Sequence, residues 1–329
     1  MSSTALTDRR HTAPTQGGQV TLAVAEKTLV AEGVCRLRLV DPAGQRVPDW
    51  TPGAHIDLGL PHGLTRQYSL CGDRWDPFAF EIAVLREPAG SGGSAFVHDR
   101  LGVGDHVQVG GPRNNFRLVP AEHYLFVAGG IGITPLLPML EQASRLDTPW
   151  TLLYGGRRRA SMAFLDRLAV WGDRVLVRPQ DTHGLLDLAG VVAGRPPGTK
   201  VYCCGPGPLL SAVEEVCTDL PAGHLRTERF SAKEQPRPAR TTPYEVELAR
   251  SGRVLEVPPT VSVLDALGEA GVTVLASCRQ GVCGTCETAV LAGDPDHRDS
   301  LLDDDERRSG ATFFPCVSRS VSDRLVLDL

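Results

Sequence analysis

Four cysteines in the C-terminal third of the chain, Cys278, Cys283, Cys286 and Cys316, follow the order C-x4-C-x2-C, with 29 residues between the third and the fourth. Thiolates are soft metal ligands, and this is the plant-type spacing for four of them around two irons and two sulfides. Zinc is the main competitor, but structural zinc usually takes its thiolates as two short C-x2-C knuckles. Within "CRQGVCGTC", Gly281 and Gly284 let the backbone come close enough to turn its N–H groups toward sulfur. Nine cysteines are an odd number, and most of them sit in tight groups. A secreted disulfide framework would favour an even set spread through a short chain, whereas in a reducing compartment such clustering points to metal or redox chemistry.

Three further stretches could do chemistry. In "RQYSL" (residues 66–70) a cation and a hydroxyl flank an aromatic ring at the end of a strand. The set suits a flavin phosphate and a polar ring edge, and it is equally an ordinary strand with surface polar groups. In "GGIGITP" (129–135) a strand passes through glycines into a helix N-terminus. Backbone N–H groups and the helix dipole receive a pyrophosphate in that geometry, and a plain glycine-rich turn is the alternative. "YCCGP" (202–206) closes another strand at the sheet edge where open α/β folds bind ligands. A strand cysteine is more often a small buried hydrophobe. After the strand "WTLLYGG", where an acidic residue would meet the 2′-hydroxyl of NAD, stand Arg157, Arg158 and Arg159, suited to a 2′-phosphate or merely a solvated loop. The histidines, His55 among them, show no ligand spacing and read as structural or surface groups.

Positioning these stretches takes more than one core. A chain of 329 residues suggests two or three domains, and 42% hydrophobic with 22% charged residues excludes disordered and fibrous classes. "QVTLAVAEKT", "VCRLRLVD", "HIDLGL", "RQYSLCG", "FEIAVLRE" and "DHVQVGG" alternate with turn residues, as in a sandwich or barrel. From about residue 118 strands and helices alternate: "HYLFVA", a helix from 133, "WTLLYGG", a helix in "AFLDRLAVWG", "RVLVRP", "TKVYCCGP" and a helix in "GPLLSAVEEVC". This predicts an α/β doubly wound parallel sheet. Residues 231–243, polar and proline-bearing, read as a linker. Beyond them come a hairpin in "YEVELARSGRVLEV", a capped helix in "SVLDALGEAG" and strands in "VTVLAS", "ETAVLAG" and "RLVLDL". "DSLLDDDERR" reads as mostly solvated surface. From residue 241 onward 8 Arg face 15 acidic residues, a balance of −7, which makes nucleic acid an unsuitable partner. Apolar stretches are short and interrupted by Gly and Pro, so neither a membrane span nor a signal peptide is expected, and residues 1–18 read as a flexible tail.

The cysteine loop, with "PC" at 315–316 on its hairpin, helix and strand frame, resembles plant-type ferredoxins and their β-grasp α+β fold. "RQYSL", "GGIGITP", "YCCGP", "ERF" and the cysteine loop, in that order, resemble the phthalate dioxygenase reductase family, which includes vanillate demethylase reductases. The resemblance implies an antiparallel six-stranded β-barrel for FMN (19–117), an NAD(P)-binding α/β domain (118–232), a linker (233–242) and a 2Fe-2S ferredoxin domain (243–329). It implies that Arg66, Gln67, Tyr68 and Ser69 meet the flavin and that Gly93 and Ser94 help to hold its phosphate. Gly130, Gly132, Thr134 and Arg157 would line the NADH or NADPH site. Cys204 and Gly205 would stand near the hydride path and Phe230 against the flavin, so that Ser69, Cys204 and Phe230 frame the reaction. The implied activity is an NAD(P)H-dependent oxidoreductase, a cytoplasmic monomer passing electrons to a separate terminal oxygenase, either a Rieske non-haem iron enzyme or a cytochrome P450. The alternative is a redox-sensing or regulatory module, which would have no use for a hydride donor. Direct reduction of ferric chelates or flavins would need no ferredoxin domain.

Overall fold

A computed structural model describes residues 19–88, 90, 92–233 and 237–329. The expected tail, residues 1–18, lies outside the described residues, as do positions 234–236 of the expected linker.

Six strands, β1 (Val20–Ala31), β2 (Val34–Val40), β3 (His55–Gly59), β4 (Thr65–Ser69), β5 (Ala79–Leu85) and β6 (His106–Arg113), pair antiparallel in the order β4-β3-β6-β1-β2-β5. A bridge between Leu70 and Ile82 joins the two outer strands and closes the sheet into a barrel. Period-two alternation sends Leu22, Val24, Leu37, Leu39, Ile56 and Leu58 into its core. Helix α1 (Gly93–Asp99) closes one end. The Lys27 ammonium donates to the carbonyls of Val97, His98 and Leu101 at 2.8, 2.7 and 2.7 Å, satisfying groups that a helix C-terminus leaves open.

Next, β7 (His123–Gly129), β8 (Trp150–Gly156), β9 (Val175–Pro179), β10 (Thr199–Cys204) and β11 (Leu225–Glu228) form an all-parallel sheet ordered β11-β10-β7-β8-β9. The connections are α2 (Ile133–Arg145), α3 (Leu165–Leu168), α4 (Gln180–His183), α5 (Leu188–Ala193) and α6 (Gly207–Val216). Leu136 and Leu140 of α2 pack with Phe126, Leu152 and Tyr202 on one face. Leu188 and Val192 of α5 and Leu210 and Val213 of α6 pack with Val127, Leu153 and Val201 on the other. The helix expected in "AFLDRLAVWG" is broken: α3 gives way to 3-10 turns in which Gly172 takes φ +55. Strand β11 is an element that the sequence reading did not name. The strand order reverses between β7 and β10, the place where ligands bind in open parallel sheets.

The last domain holds β12 (Tyr244–Leu248), β13 (Arg253–Val257), α7 (Val263–Glu269), β14 (Thr288–Ala292), β15 (Pro295–Asp296), α8 (Asp304–Ser309), β16 (Thr312–Phe313), β17 (Arg319–Ser320) and β18 (Arg324–Leu327). Its main sheet runs β13-β12-β18-β14-β16 over a separate core of Val246, Val263, Leu267, Phe313 and Leu325. Ser262 caps α7 as expected, its hydroxyl accepting the Asp265 N–H. The strand expected in "VTVLAS" does not form: residues 272–276 join no ladder, and Leu275 is exposed. "DSLLDDDERR", expected to be mostly solvated, contains α8, started by a capping box between Asp303 and Glu306. No described helix is long and apolar enough to cross a membrane.

The end of β7 and the end of β10 touch through bare backbone. A Cβ on Gly132 would lie 2.2 Å from the Cys204 carbonyl oxygen, whereas one on Gly207 would meet nothing within 4 Å. Gly132→Ala is therefore expected to destabilise the protein by about 1–3 kcal/mol in urea unfolding, and Gly207→Ala to change it little.

Candidate functional site

A cleft of about 190 Å³ opens where the three domains meet, lined by His55, Arg66, Gln67, Ser69, Glu228, Arg229, Phe230, Cys278, Gln280 and Val282. The barrel contributes through the β3–β4 ladder, in which His55 lies opposite Ser69. Of the flavin residues expected from sequence, Arg66, Gln67, Ser69 and Phe230 line the cleft. Tyr68 packs against the barrel core, and burial pushes its phenol up to about 12. Gly93 lies against Arg66: a Cβ there would be 3.0 Å from the Arg66 Cγ. Beside it, the Ser94 hydroxyl accepts the Glu87 N–H at 3.0 Å.

The parallel sheet contributes the ends of β10 and β11, paired so that Cys204 stands beside Glu228. Ser69 Oγ donates to Glu228 Oε2 at 3.5 Å, and the Cys204 thiol reaches the same oxygen at 3.9 Å. Burial raises the Glu228 carboxyl from its ordinary 4.5 to about 8, outweighing the hydrogen bonds from Ser69 and Cys204 that lower it. The same burial holds the Cys204 thiol protonated, well above its ordinary value. Cys203, one position earlier, points to the opposite face and packs with Val127 and Val201. Glu228 and His55 were not singled out in the sequence as site residues. The available signal for Glu228 was an acid in "TERF" at the end of an unread strand. His55, expected to be structural or surface, lines the cleft at 6% exposure, and its Nε2 has no partner among the described residues.

The expected nicotinamide residues fall into two groups. Gly130 (φ +54), Gly132, Cys204 and Gly205 meet where β7 and β10 end, and a Cβ on Gly205 would lie 3.0 Å from Gly129 Cα. Thr134 is buried, its hydroxyl donated to the Ile131 carbonyl at 2.9 Å, so it holds the turn in shape. Arg157 stands apart on the loop after β8, exposed, and its guanidinium has no partner among the described residues. Its neighbour Arg158 forks onto the Glu32 carboxylate at 3.0 and 2.9 Å.

The four thiols cluster: Cys278 acts on Cys283 and Cys286 on Cys316, and Cys316 also acts on Cys278 and is itself acted on by Cys283. Interaction with Cys283 is the chief reason the Cys278 thiol lies below its ordinary value. Its sulfur also accepts the Gln280 N–H at 3.3 Å, and Cys283 Sγ lies 3.1 Å from Thr285 Oγ1. Gly281 and Gly284 take φ +68 and +75, which turns the loop inward. Four clustered thiols suit two irons, each taking two thiolates.

Comparison with known proteins agrees with this geometry. The 2Fe-2S iron-sulfur cluster binding domain family matches residues 246–321. Phenoxybenzoate dioxygenase subunit beta of Ectopseudomonas oleovorans is 48% identical over 301 residues, covering 91% of this chain and 94% of its own. The solved phthalate dioxygenase reductase, described as a modular structure for electron transfer from pyridine nucleotides to [2Fe-2S], is 37% identical with TM-score 0.69, covering 95% of this chain and 98% of its own. An intact type IV self-sufficient cytochrome P450 monooxygenase is 40% identical with TM-score 0.90; the match covers 98% of this chain and spans 43% of that longer one.

The raised Glu228 carboxyl carries a sign. Between about 4.5 and 8 the folded state holds a proton that the unfolded chain has released, so this group's stability contribution is complete below 4.5 and is lost as pH rises toward 8. Glu228→Gln is expected to remove that slope, which amounts to at most about 1.4 kcal/mol per pH unit. Urea unfolding of both proteins at several pH values across the window measures it.

Proposed function

The chain belongs to the phthalate dioxygenase reductase family, and on that premise we propose that the cleft seats FMN between a nicotinamide on the parallel sheet and a 2Fe-2S cluster held by the cysteine loop. The protein is an NAD(P)H-dependent oxidoreductase, the reductase component of an oxygenase system. FMN, when bound, supplies the conversion of a two-electron hydride donor into a one-electron supply for the cluster. The observation that carries the reading is that one cleft is lined both by the flavin residues Arg66, Gln67 and Ser69 and by Cys278 and Gln280 of the thiol loop.

The residues divide the work by place. The Arg66 guanidinium and the Gly93–Ser94 turn beside it hold the phosphate end of FMN, where a cation and free backbone suit a dianion. Gln67 and Ser69 offer hydrogen bonds to the polar ring edge. Glu228, protonated near neutral pH, is the proton source beside Ser69 and Cys204. Phe230, 44% exposed at the rim, covers the ring and keeps water from it until the nicotinamide takes that place. Gly130, Gly132 and Gly205 leave backbone room for the coenzyme, and Cys204 stands where the hydride crosses. Cys278, Cys283, Cys286 and Cys316 are the iron ligands. The electrons leave for a separate terminal oxygenase, a Rieske non-haem iron enzyme or a cytochrome P450, and the reductase acts as a cytoplasmic monomer. A module that only senses oxidation state would not need the coenzyme side of this cleft.

The purified protein is expected to carry flavin together with two irons and two acid-labile sulfides per chain. Stoichiometric zinc without iron would overturn the cluster assignment. In Cys283→Ser the cluster should be lost while NAD(P)H still bleaches the flavin in rapid mixing, because hydride transfer lies between the first two domains. Arg157, exposed and without a partner among the described residues, is proposed to meet the 2′-phosphate of NADPH. Arg157→Ala should then lower kcat/KM for NADPH roughly tenfold and leave that for NADH unchanged.

A further inference from the structure

The barrel and the C-terminal domain are joined by a polar cluster beside the cleft whose centre is one carboxylate oxygen. Asp57 Oδ1, on β3, accepts the Gln67 amide at 2.8 Å and the Ser277 hydroxyl at 2.9 Å. The second N–H of the Gln67 amide goes to the Ser277 oxygen, so barrel and loop close a three-membered ring of hydrogen bonds. Arg113 Nη2 stands 2.6 Å from the same carboxylate oxygen, an ion pair whose angle falls short of a hydrogen bond. Arg113 thereby leaves the Asp57 charge compensated although its side chain is only 13% exposed.

A second contact lies close by. Asn115 Nδ2 donates to the Cys283 carbonyl at 3.0 Å, and the His55 ring hydrogen-bonds the same carbonyl. A Cβ on Gly284 would come within 2.7 Å of the Asn115 amide, so the loop is seated directly on that side chain. Ser277 immediately precedes Cys278. Both contacts therefore hold the segment bearing the Cys278–Cys283 pair, and Cys278 is the thiol that lines the cleft.

We propose that Asp57, Ser277 and Asn115 are positioning residues for electron transfer from flavin to cluster, holding the Cys278–Cys283 half of the loop against the barrel wall. The proposal rests on the reading of the cleft as the flavin seat. The coenzyme loses two electrons as a hydride to the flavin, which also takes up a proton. Two successive cluster reductions of one electron each then restore the oxidised flavin and release two protons. The three residues touch neither coenzyme nor reacting atoms; they set the distance over which the second stage occurs.

The test uses the full chain loaded with flavin and iron, comparing Ser277→Ala, Asn115→Ala and the double variant with the native protein, and Ser277→Thr as the conservative replacement. Flavin and iron contents are measured first, then NADH-driven bleaching of the flavin and of the cluster in rapid mixing, and amide exchange of residues 278–284. Flavin reduction should stay within about twofold while cluster reduction falls about tenfold or more, a change of about 1.4 kcal/mol in the barrier. Exchange of the loop amides should rise, and Ser277→Thr should restore both readouts. Unchanged cluster reduction in the fully loaded double variant would overturn the proposal. So would a parallel fall in flavin reduction, which would place these residues in the flavin seat itself. If Ser277→Ala loses iron, Asn115→Ala decides by the same readouts. Native protein without flavin would instead defeat the reading of the cleft.

Discussion

Contact between the backbones of two parallel strands at their ends governs the geometry of the cleft. A side chain on Gly129 would strike Leu209 and Pro206, one on Gly132 the Cys204 carbonyl, and one on Gly205 the backbone of Gly129. Because these positions carry no Cβ, β7 and β10 end side by side, and the ladder from β10 to β11 carries Glu228 into register with Cys204. Ser69 can then reach Glu228 from the barrel. Any bulk at this seam would push apart the ends of β7 and β10 and displace Cys204.

Burial sets the charge of the cleft as firmly as packing sets its shape. Taking an ionised group out of water is costly, so a buried group that lacks a full counter-charge becomes neutral. Glu228 responds by rising to about 8, and His55 by falling to about 4, driven first by burial and next by Arg113. Near neutral pH the deep wall thus presents a protonated acid and a neutral imidazole, while Arg66 and Arg229 line the same cleft as cations. The Arg229 guanidinium is ion-paired with Glu214 at 2.8 Å.

The C-terminal domain has a hydrophobic core of its own, and the hydrogen bonds of Ser277 and Asn115 join it to the barrel. A hydrogen bond contributes only about 1 kcal/mol net, so a few polar contacts hold the loop in register without welding the domains together. That suits a carrier that must receive electrons on one side of its cluster and release them to another protein.

The sequence by itself determined whatever depends on neighbours along the chain. The thiol spacing, the glycines of 129–132, the alternation of the barrel strands and the capped helix at Ser262 are local, and each appears in the structure where its pattern placed it. Local pattern also misled. "VTVLAS" has the composition of a strand, but a strand exists only where another offers it a ladder; "AFLDRLAVWG" has helical periodicity, but its glycine turns the chain. Tertiary structure alone decided the rest. Asp57 and Ser277 stand 220 positions apart, Asn115 and Cys283 168, and Ser69 and Glu228 159. No periodicity connects residues at such separations. They meet because closing the barrel, reversing the strand order of the parallel sheet and docking the cysteine loop bring residues of all three domains to one cleft, where burial then fixes which of their groups carry charge.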